Sequence, residues 1–464
     1  MSHSVIVITI LAIAMVGFRM GRGRALTLAG GQARSLNSLP AYHGGYVLLW
    51  CALPALMLVL AWLALEPAAV RWLVLSGLPD GARSLSAERL DLFYDKILAF
   101  ASLRNGIGNG TGGADASLVG GAEHYQRLKQ LSLFALAVGS IAIAGPGLIF
   151  AWNRITPAFP ARRVVEGCIR AMLVVSSALA IFTTIGIVLS LLFETIRFFE
   201  KVPIADFLFG LKWSPQMALR ADQVGSSGAF GAVPIFAGTL LISLIAMAVA
   251  VPIGLMSAIY LSEYAGRNAR AVLKPMLEIL AGIPTVVYGF FAALTVAPLV
   301  RDLGTFLGLD VASESALAAG LVMGIMIIPF VSSLSDDVIN AVPVALREGA
   351  YGLGATKSET ILRVVLPAAL PGIVGSILLA MSRAIGETMI VVMAAGLAAN
   401  LTANPFAAVT TVTVQIVTLL VGDQEFDSAK TLAAFALGLV LFAITLGLNI
   451  IALMTVRKYR EKYD

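Results

Sequence analysis

The chain has 464 residues, of which 59% are hydrophobic and only 13% are charged, and its mean hydropathy is +0.91. This composition excludes a water-soluble domain and predicts an all-α polytopic membrane protein. The net charge of +5 does not indicate nucleic-acid binding, because the basic residues lie in short loops between apolar runs and not among aromatic side chains.

The first apolar run, Ser4–Phe18, has about fifteen residues, which is short for a membrane span of roughly twenty. A secretory signal would place positive charge before the run, whereas Arg19, Arg22 and Arg24 follow it. We therefore predict a short anchor with its amino end outside the membrane.

Two basic loops set the orientation of the amino-terminal part. The first loop contains no acidic residue, and its arginines are Arg19, Arg22, Arg24 and Arg34. The second loop contains Arg154, Arg162, Arg163 and Arg170. The positive-inside rule places both loops in the cytoplasm. Tyr46–Leu65 then spans outward and Leu131–Trp152 returns inward, and the segment between them, with a glycine-rich centre at Gly106–Gly113, is predicted to be an external loop.

Six further apolar runs follow, at Ala171–Phe193, Gly231–Leu261, Met276–Val300, Ser315–Ser335, Gly372–Gly396 and Leu432–Thr455. The remaining basic loops all fall on the inside by this count, so about nine spans with the amino end outside and the carboxyl end in the cytoplasm are self-consistent. We predict an amino-terminal extension over residues 1–169 and a six-helix domain over residues 170–464.

The polar stretch Pro343–Pro371 interrupts two of these runs with strong helix signals. Pro343 suits a first helical turn, Gly354 suits the left-handed residue that closes a helix, and Thr356 and Glu359 have the spacing of a capping box. With Pro367 as the stop of the second helix, the stretch predicts two short cytoplasmic helices at an angle. An amphipathic hairpin lying on the membrane surface is the alternative.

This stretch resembles the EAA loop of ABC-importer permeases, whose pattern is Glu-Ala-Ala, three residues, Gly, nine residues and Ile-x-Leu-Pro. The matching residues are Glu348, Gly349, Ala350, Gly354, Val364, Leu366 and Pro367, with Gly349 and Val364 replacing Ala and Ile. The resemblance implies that the hairpin is a coupling helix that docks on a separate ATPase subunit.

Two charges lie inside the run that begins at Gly372. Arg383 would lie roughly 17 Å into a hydrocarbon layer about 30 Å thick, and Glu387 follows at i+4. Such charges are costly in a membrane, so we expect them to face protein or water and to neutralise each other. A substrate pathway for an oxyanion, with the guanidinium as donor, is one interpretation, and a structural salt bridge between helices is the other.

A second resemblance narrows the first. SRAIGETM around Arg383, the segment Phe230–Ala265, the segment Leu273–Phe291 and FLFGLKWSP at Phe207–Pro215 together resemble the PstC family of phosphate ABC-importer permeases. This resemblance implies a PstA-like second permease, a PstB-like ATPase dimer and a PstS-like periplasmic phosphate-binding protein as partners, in a bacterial inner membrane. It implies that ATP and Mg are used by the ATPase, while this chain binds no cofactor.

Three acids at the inner ends of spans have ordinary interpretations. Glu278 lies near Lys274 and suggests helix-end electrostatics or an ATPase contact, and Asp336 and Asp337 are expected to be solvated. The closest approach to a phosphate-binding loop is Gly349, Gly354 and Lys357, where the lysine comes too late.

The sequence therefore predicts a transport subunit that is not an enzyme and that has no catalytic or metal site. Its cargo is inorganic phosphate by resemblance, with sulfate, molybdate or phosphonate as alternatives. A phosphate-signalling membrane scaffold that does not transport is the rival of another class.

Overall fold

The computed structural model describes residues 3–77, 87–104, 116–215, 228–421 and 427–460. The predicted glycine-rich loop Gly106–Gly113 lies outside the described residues. Within the described ranges, nine helices are long and apolar enough to cross a membrane, which confirms the predicted number of spans.

The chain divides into two compact units, Met1–Ile181 and Phe182–Asp464. The first unit contains, in order, α1 (His3–Leu28), α2 (Pro40–Ser76), α3 (Ala87–Arg104), α4 (Ala116–Asn153) and the first part of α5 (Ala161–Phe199). Its core lies where α1, α2 and α4 meet, around Ile10, Cys51, Ala55 and Leu136, all of which are buried.

A glycine allows α2 and α4 to approach closely. A Cβ atom on Gly147 would lie 2.3 Å from the carbonyl oxygen of Trp50, whereas a Cβ atom on Gly145 of the same helix would meet nothing within 4 Å. Small residues serve this purpose wherever membrane helices pack backbone to backbone.

We expect Gly147→Ala to lower the free energy of unfolding of the detergent-solubilised chain by about 1–3 kcal/mol, because the added methyl group overlaps a carbonyl. The matched Gly145→Ala variant gains helix propensity without a clash and is expected to be neutral or slightly stabilising. Thermal unfolding of the two variants decides, and equal midpoints would contradict the proposed close approach.

The second unit begins within α5 and contains mostly helices. They are α6 (Ile204–Phe209), α7 (Val233–Ile259), α8 (Arg267–Ala281), α9 (Thr285–Phe291), α10 (Ala297–Phe306), α11 (Ala316–Asn340), α12 (Val344–Gly352), α13 (Lys357–Thr360), α14 (Leu366–Ile385), α15 (Met389–Ala394), α16 (Val412–Leu420) and α17 (Ala429–Arg460). Helices α7 and α11 form the centre of the core, where Ile242, Ala246 and Met323 are buried.

A short hairpin carries the FLFGLKWSP segment. Strand β1 (Trp213–Ser214) pairs antiparallel with β2 (Ala229–Phe230), and Trp213 lies opposite Phe230. The indole Nε1 of Trp213 donates to Oε1 of Gln415 in α16 at 2.8 Å. This hydrogen bond joins the β-hairpin to helix α16.

The predicted span Met276–Val300 is corrected at its start. Met276 belongs to α8, an amphipathic helix without a buried residue, and the spanning segment begins at Thr285 after Gly282 and Pro284. Pro284, which lacks an amide hydrogen, stands at the cap of the new helix and cannot continue the old one.

The predicted stop at Pro367 is also wrong. The chain is helical from Lys357 to Ile385, through a π-helical turn at Ile361–Val365 that precedes Pro367. A π turn widens the backbone, which relieves the clash of a proline ring with the preceding turn. The second short helix is therefore the first part of a span.

Candidate functional site

Arg383 lies in the last turn of α14, two residues before that helix ends at Ile385. Its side chain is exposed in this single chain, and the guanidinium carbon lies 5.7 Å from the ring centroid of Phe330 in α11. A cation held over an aromatic face is oriented without losing its hydrogen-bond donors. The predicted depth of Arg383 counted the span from Gly372, whereas the spanning segment runs from Lys357 to Ile385 and places Arg383 in its last turn.

Glu387 follows the helix break and has a local role. Its Oε1 accepts hydrogen bonds from the backbone amides of Met389 at 3.0 Å and Ile390 at 3.4 Å, at the start of α15. Its backbone carbonyl accepts a 2.8 Å bond from the hydroxyl of Thr413. The glutamate thus fixes the amino end of α15.

The predicted ion pair between Arg383 and Glu387 is wrong. No salt bridge within 4 Å joins these two described residues. The i, i+4 expectation required a continuous helix, and the helix ends between them. Among the described residues, the contact that the structure gives for the Arg383 guanidinium is the Phe330 ring, not a carboxylate.

The hairpin predicted from Pro343 onward has the expected caps. Helix α12 ends before Gly354, whose φ of +85 lies in the left-handed region. The hydroxyl of Thr356 accepts from the Glu359 amide at 3.4 Å, and the Glu359 carboxylate accepts from the Thr356 amide at 2.9 Å. Both halves of the capping box are present.

An open groove of ≈ 630 Å³ runs between the two arms of this hairpin. Four of the seven residues predicted to couple to an ATPase line it, namely Gly349, Ala350, Gly354 and Val364. Glu348 is exposed outside the groove, and Leu366 and Pro367 lie at the start of α14. The hairpin thus presents a concave surface with exposed apolar rims at Leu353 and Leu346.

The sequence did not reveal the ion pairs that join α8 to the end of α11, next to the hairpin. Asp336, predicted to be solvated, has a side chain only 2% exposed and forms salt bridges of 2.9 Å with Arg270 and Lys274 of α8. Asn340 donates to it at 2.8 Å. Asp337 does point outward, with its side chain 68% exposed.

We expect Asp336→Ala to lower the free energy of unfolding by about 1.5–3 kcal/mol, because the buried carboxylate that pairs with Arg270 and Lys274 is lost while those cations, with side chains 34% and 32% exposed, still reach water. The neighbouring Asp337→Ala removes an exposed acid 3.9 Å from Lys274 and is expected to cost less than about 1 kcal/mol. Thermal unfolding of the purified chain measures both, and a similar loss in the two variants would contradict the pairing.

Comparison with known proteins places both parts of the chain. Residues 7–183 match a family described as a phosphate ATP-binding cassette transporter. Residues 250–461 match a family described as a binding-protein-dependent transport system inner membrane component.

Curated relatives agree with these matches. A probable ABC transporter permease protein, YqgH, of Bacillus subtilis is 32% identical over 287 residues, which cover 61% of this chain and 86% of that protein. The phosphate transport system permease protein PstC of Mesorhizobium japonicum is 38% identical over 235 residues, 47% of this chain and 70% of that one. PstC of Haemophilus influenzae is 34% identical over 250 residues, 50% of this chain and 78% of that one.

Proposed function

This chain belongs to the PstC family of phosphate ABC transporter permeases, and we infer from that membership that it carries inorganic phosphate across the bacterial cytoplasmic membrane as the permease subunit of an importer. The observations that carry this inference are the 38% and 34% identity to phosphate permeases over about half of this chain, and the match of residues 250–461, which include Arg383, to the transport-system inner membrane family. The extension of unknown role is related to a phosphate transporter family as well.

The substrate pathway we propose passes Arg383 and Glu387. Arg383 supplies a charged donor set on an exposed helix face, which a second permease would cover in the assembled importer. Phosphate offers several acceptor oxygens that match the planar guanidinium. Glu387, at the adjacent helix break, adds a negative charge that favours release of the anion.

The partners follow from the same proposal. A PstA-like permease would complete the pathway, a PstB-like ATPase dimer would occupy the groove between Leu346 and Val364, and a PstS-like binding protein would deliver phosphate outside. ATP and Mg would be used by the ATPase, so this chain would do no chemistry itself. The amino end would lie outside and the carboxyl end in the cytoplasm, with the hairpin on the side where ATP is available.

The test is uptake of labelled phosphate into proteoliposomes that contain this chain with its three partners. We expect accumulation of labelled phosphate that requires ATP and that unlabelled phosphate suppresses. Equal suppression by sulfate, molybdate or a phosphonate would show that the transported substrate is not specifically phosphate. A signalling scaffold that does not transport would give no ATP-dependent accumulation.

A further inference from the structure

Helix α12 has one side that faces the protein. None of its residues is fully buried, and only Arg347 and Ala350, three positions apart, are half-buried. Residues at that spacing share one face of a helix, so Arg347 points toward the core while the opposite face remains available to a partner.

Arg347 reaches two different membrane helices. Its Nη1 pairs with the carboxylate of Glu263, in the π-helical turn Tyr260–Tyr264 that ends α7, and its Nη2 donates to the carbonyl oxygen of Ile339 in the last turn of α11 at 2.7 Å. The two side chains of the ion pair are only 18% and 6% exposed. The pair is therefore shielded from water. In such an environment of low dielectric constant, the attraction between two charges is stronger than in water.

The second arm of the hairpin contacts the same turn. The Lys357 ammonium lies 5.1 Å from the ring centroid of Tyr264. The last turn of α11 is in turn tied to α8 through Asp336. The hairpin is thus attached to the inner ends of α7 and α11 by the polar contacts of Arg347 and Lys357.

We propose that the Arg347–Glu263 ion pair is the joint that transmits movement of the docked hairpin to α7, so that both are positioning residues for transport. This proposal rests on the proposed function. Apolar contacts can slide, but a shielded ion pair fixes the distance between two helices. The guanidinium makes both contacts at once, with Nη1 on Glu263 and Nη2 on the carbonyl oxygen of Ile339, so a movement of α12 would act on the inner ends of both helices.

The experiment uses the full complex in proteoliposomes and measures phosphate uptake and ATP hydrolysis in the same vesicles. Arg347→Glu and Glu263→Arg are each expected to lower the phosphate moved per ATP hydrolysed at least about tenfold, while the ATPase still co-purifies. The double variant that exchanges the two charges is expected to recover most of this ratio. Glu263→Gln, which removes the charge and keeps the shape, is expected to behave as the single variants do.

Arg267→Glu is the matched control. Arg267 is an exposed cation at the start of α8, so this substitution makes the same change of charge as Arg347→Glu at a position outside the ion pair. It is expected to keep the wild-type ratio. A wild-type ratio in Glu263→Gln, or a double variant no better than the single ones, would overturn the proposal. A wild-type complex without ATP-driven phosphate uptake would instead show that the proposed function has failed.

Discussion

Replacement of Arg383 by alanine is expected to lower the initial rate of ATP-driven phosphate uptake at least about tenfold. A hydrogen bond to a charged group contributes about 1.5–3 kcal/mol, and 1.4 kcal/mol corresponds to a factor of ten. Arg383→Lys keeps the charge but loses the planar pair of donors, so an intermediate rate is expected. The rates are measured in proteoliposomes with the complete complex.

The Glu387→Gln variant separates charge from structure. A glutamine oxygen can still accept the backbone bonds from Met389 and Ile390, so the start of α15 is preserved while the negative charge is lost. We expect the initial rate of phosphate uptake to fall, because the negative charge that favours release of the anion is lost. The control for Arg383→Ala is Arg301→Ala, since Arg301 is also an exposed arginine, on α10, and this variant is expected to keep the wild-type rate of uptake. Wild-type uptake in both Arg383→Ala and Glu387→Gln would remove these residues from the pathway.

The hairpin could be predicted from the sequence because its determinants are local. The left-handed backbone at residue 354 favours glycine, and Thr356 and Glu359 satisfy each other's backbone donors three residues apart. Hydropathy likewise gave the number of spans, because a membrane-crossing helix needs a run of apolar residues and little else.

The ends of the spans could not be predicted in the same way. The run Gly372–Gly396 is apolar apart from a few polar residues near Gly386, so its mean hydropathy does not distinguish a continuous helix from a break. The break depends on Glu387 capping α15 and on a hydroxyl from Thr413, 26 residues further along the chain. Because the helix ends between Arg383 and Glu387, the expected ion pair between them does not form.

Long-range ion pairs were hidden for a related reason. Asp336 is buried because Arg270 and Lys274, 66 and 62 residues earlier, reach it from α8. Arg347 and Glu263 are 84 residues apart. No spacing rule connects such positions, and each acid taken alone resembles a solvated residue at the end of a span.

Gly354→Trp is expected to weaken binding of the partner ATPase at least about tenfold, in line with the groove being its docking surface. Two effects combine at this position. A side chain at φ +85 strains the backbone by about 1–3 kcal/mol, and the indole would fill part of the groove. The amount of ATPase that co-purifies with the membrane chain measures the result.

Gly354→Asn separates these two effects. Asparagine adopts the left-handed conformation more readily than other residues, and a Cβ atom at this position meets nothing within 4 Å. We therefore expect Gly354→Asn to retain most of the ATPase, because it keeps both the turn and the open groove. Full retention of the ATPase by Gly354→Trp would place the docking surface elsewhere, whereas equal loss in both variants would show that the glycine backbone itself is what the ATPase requires.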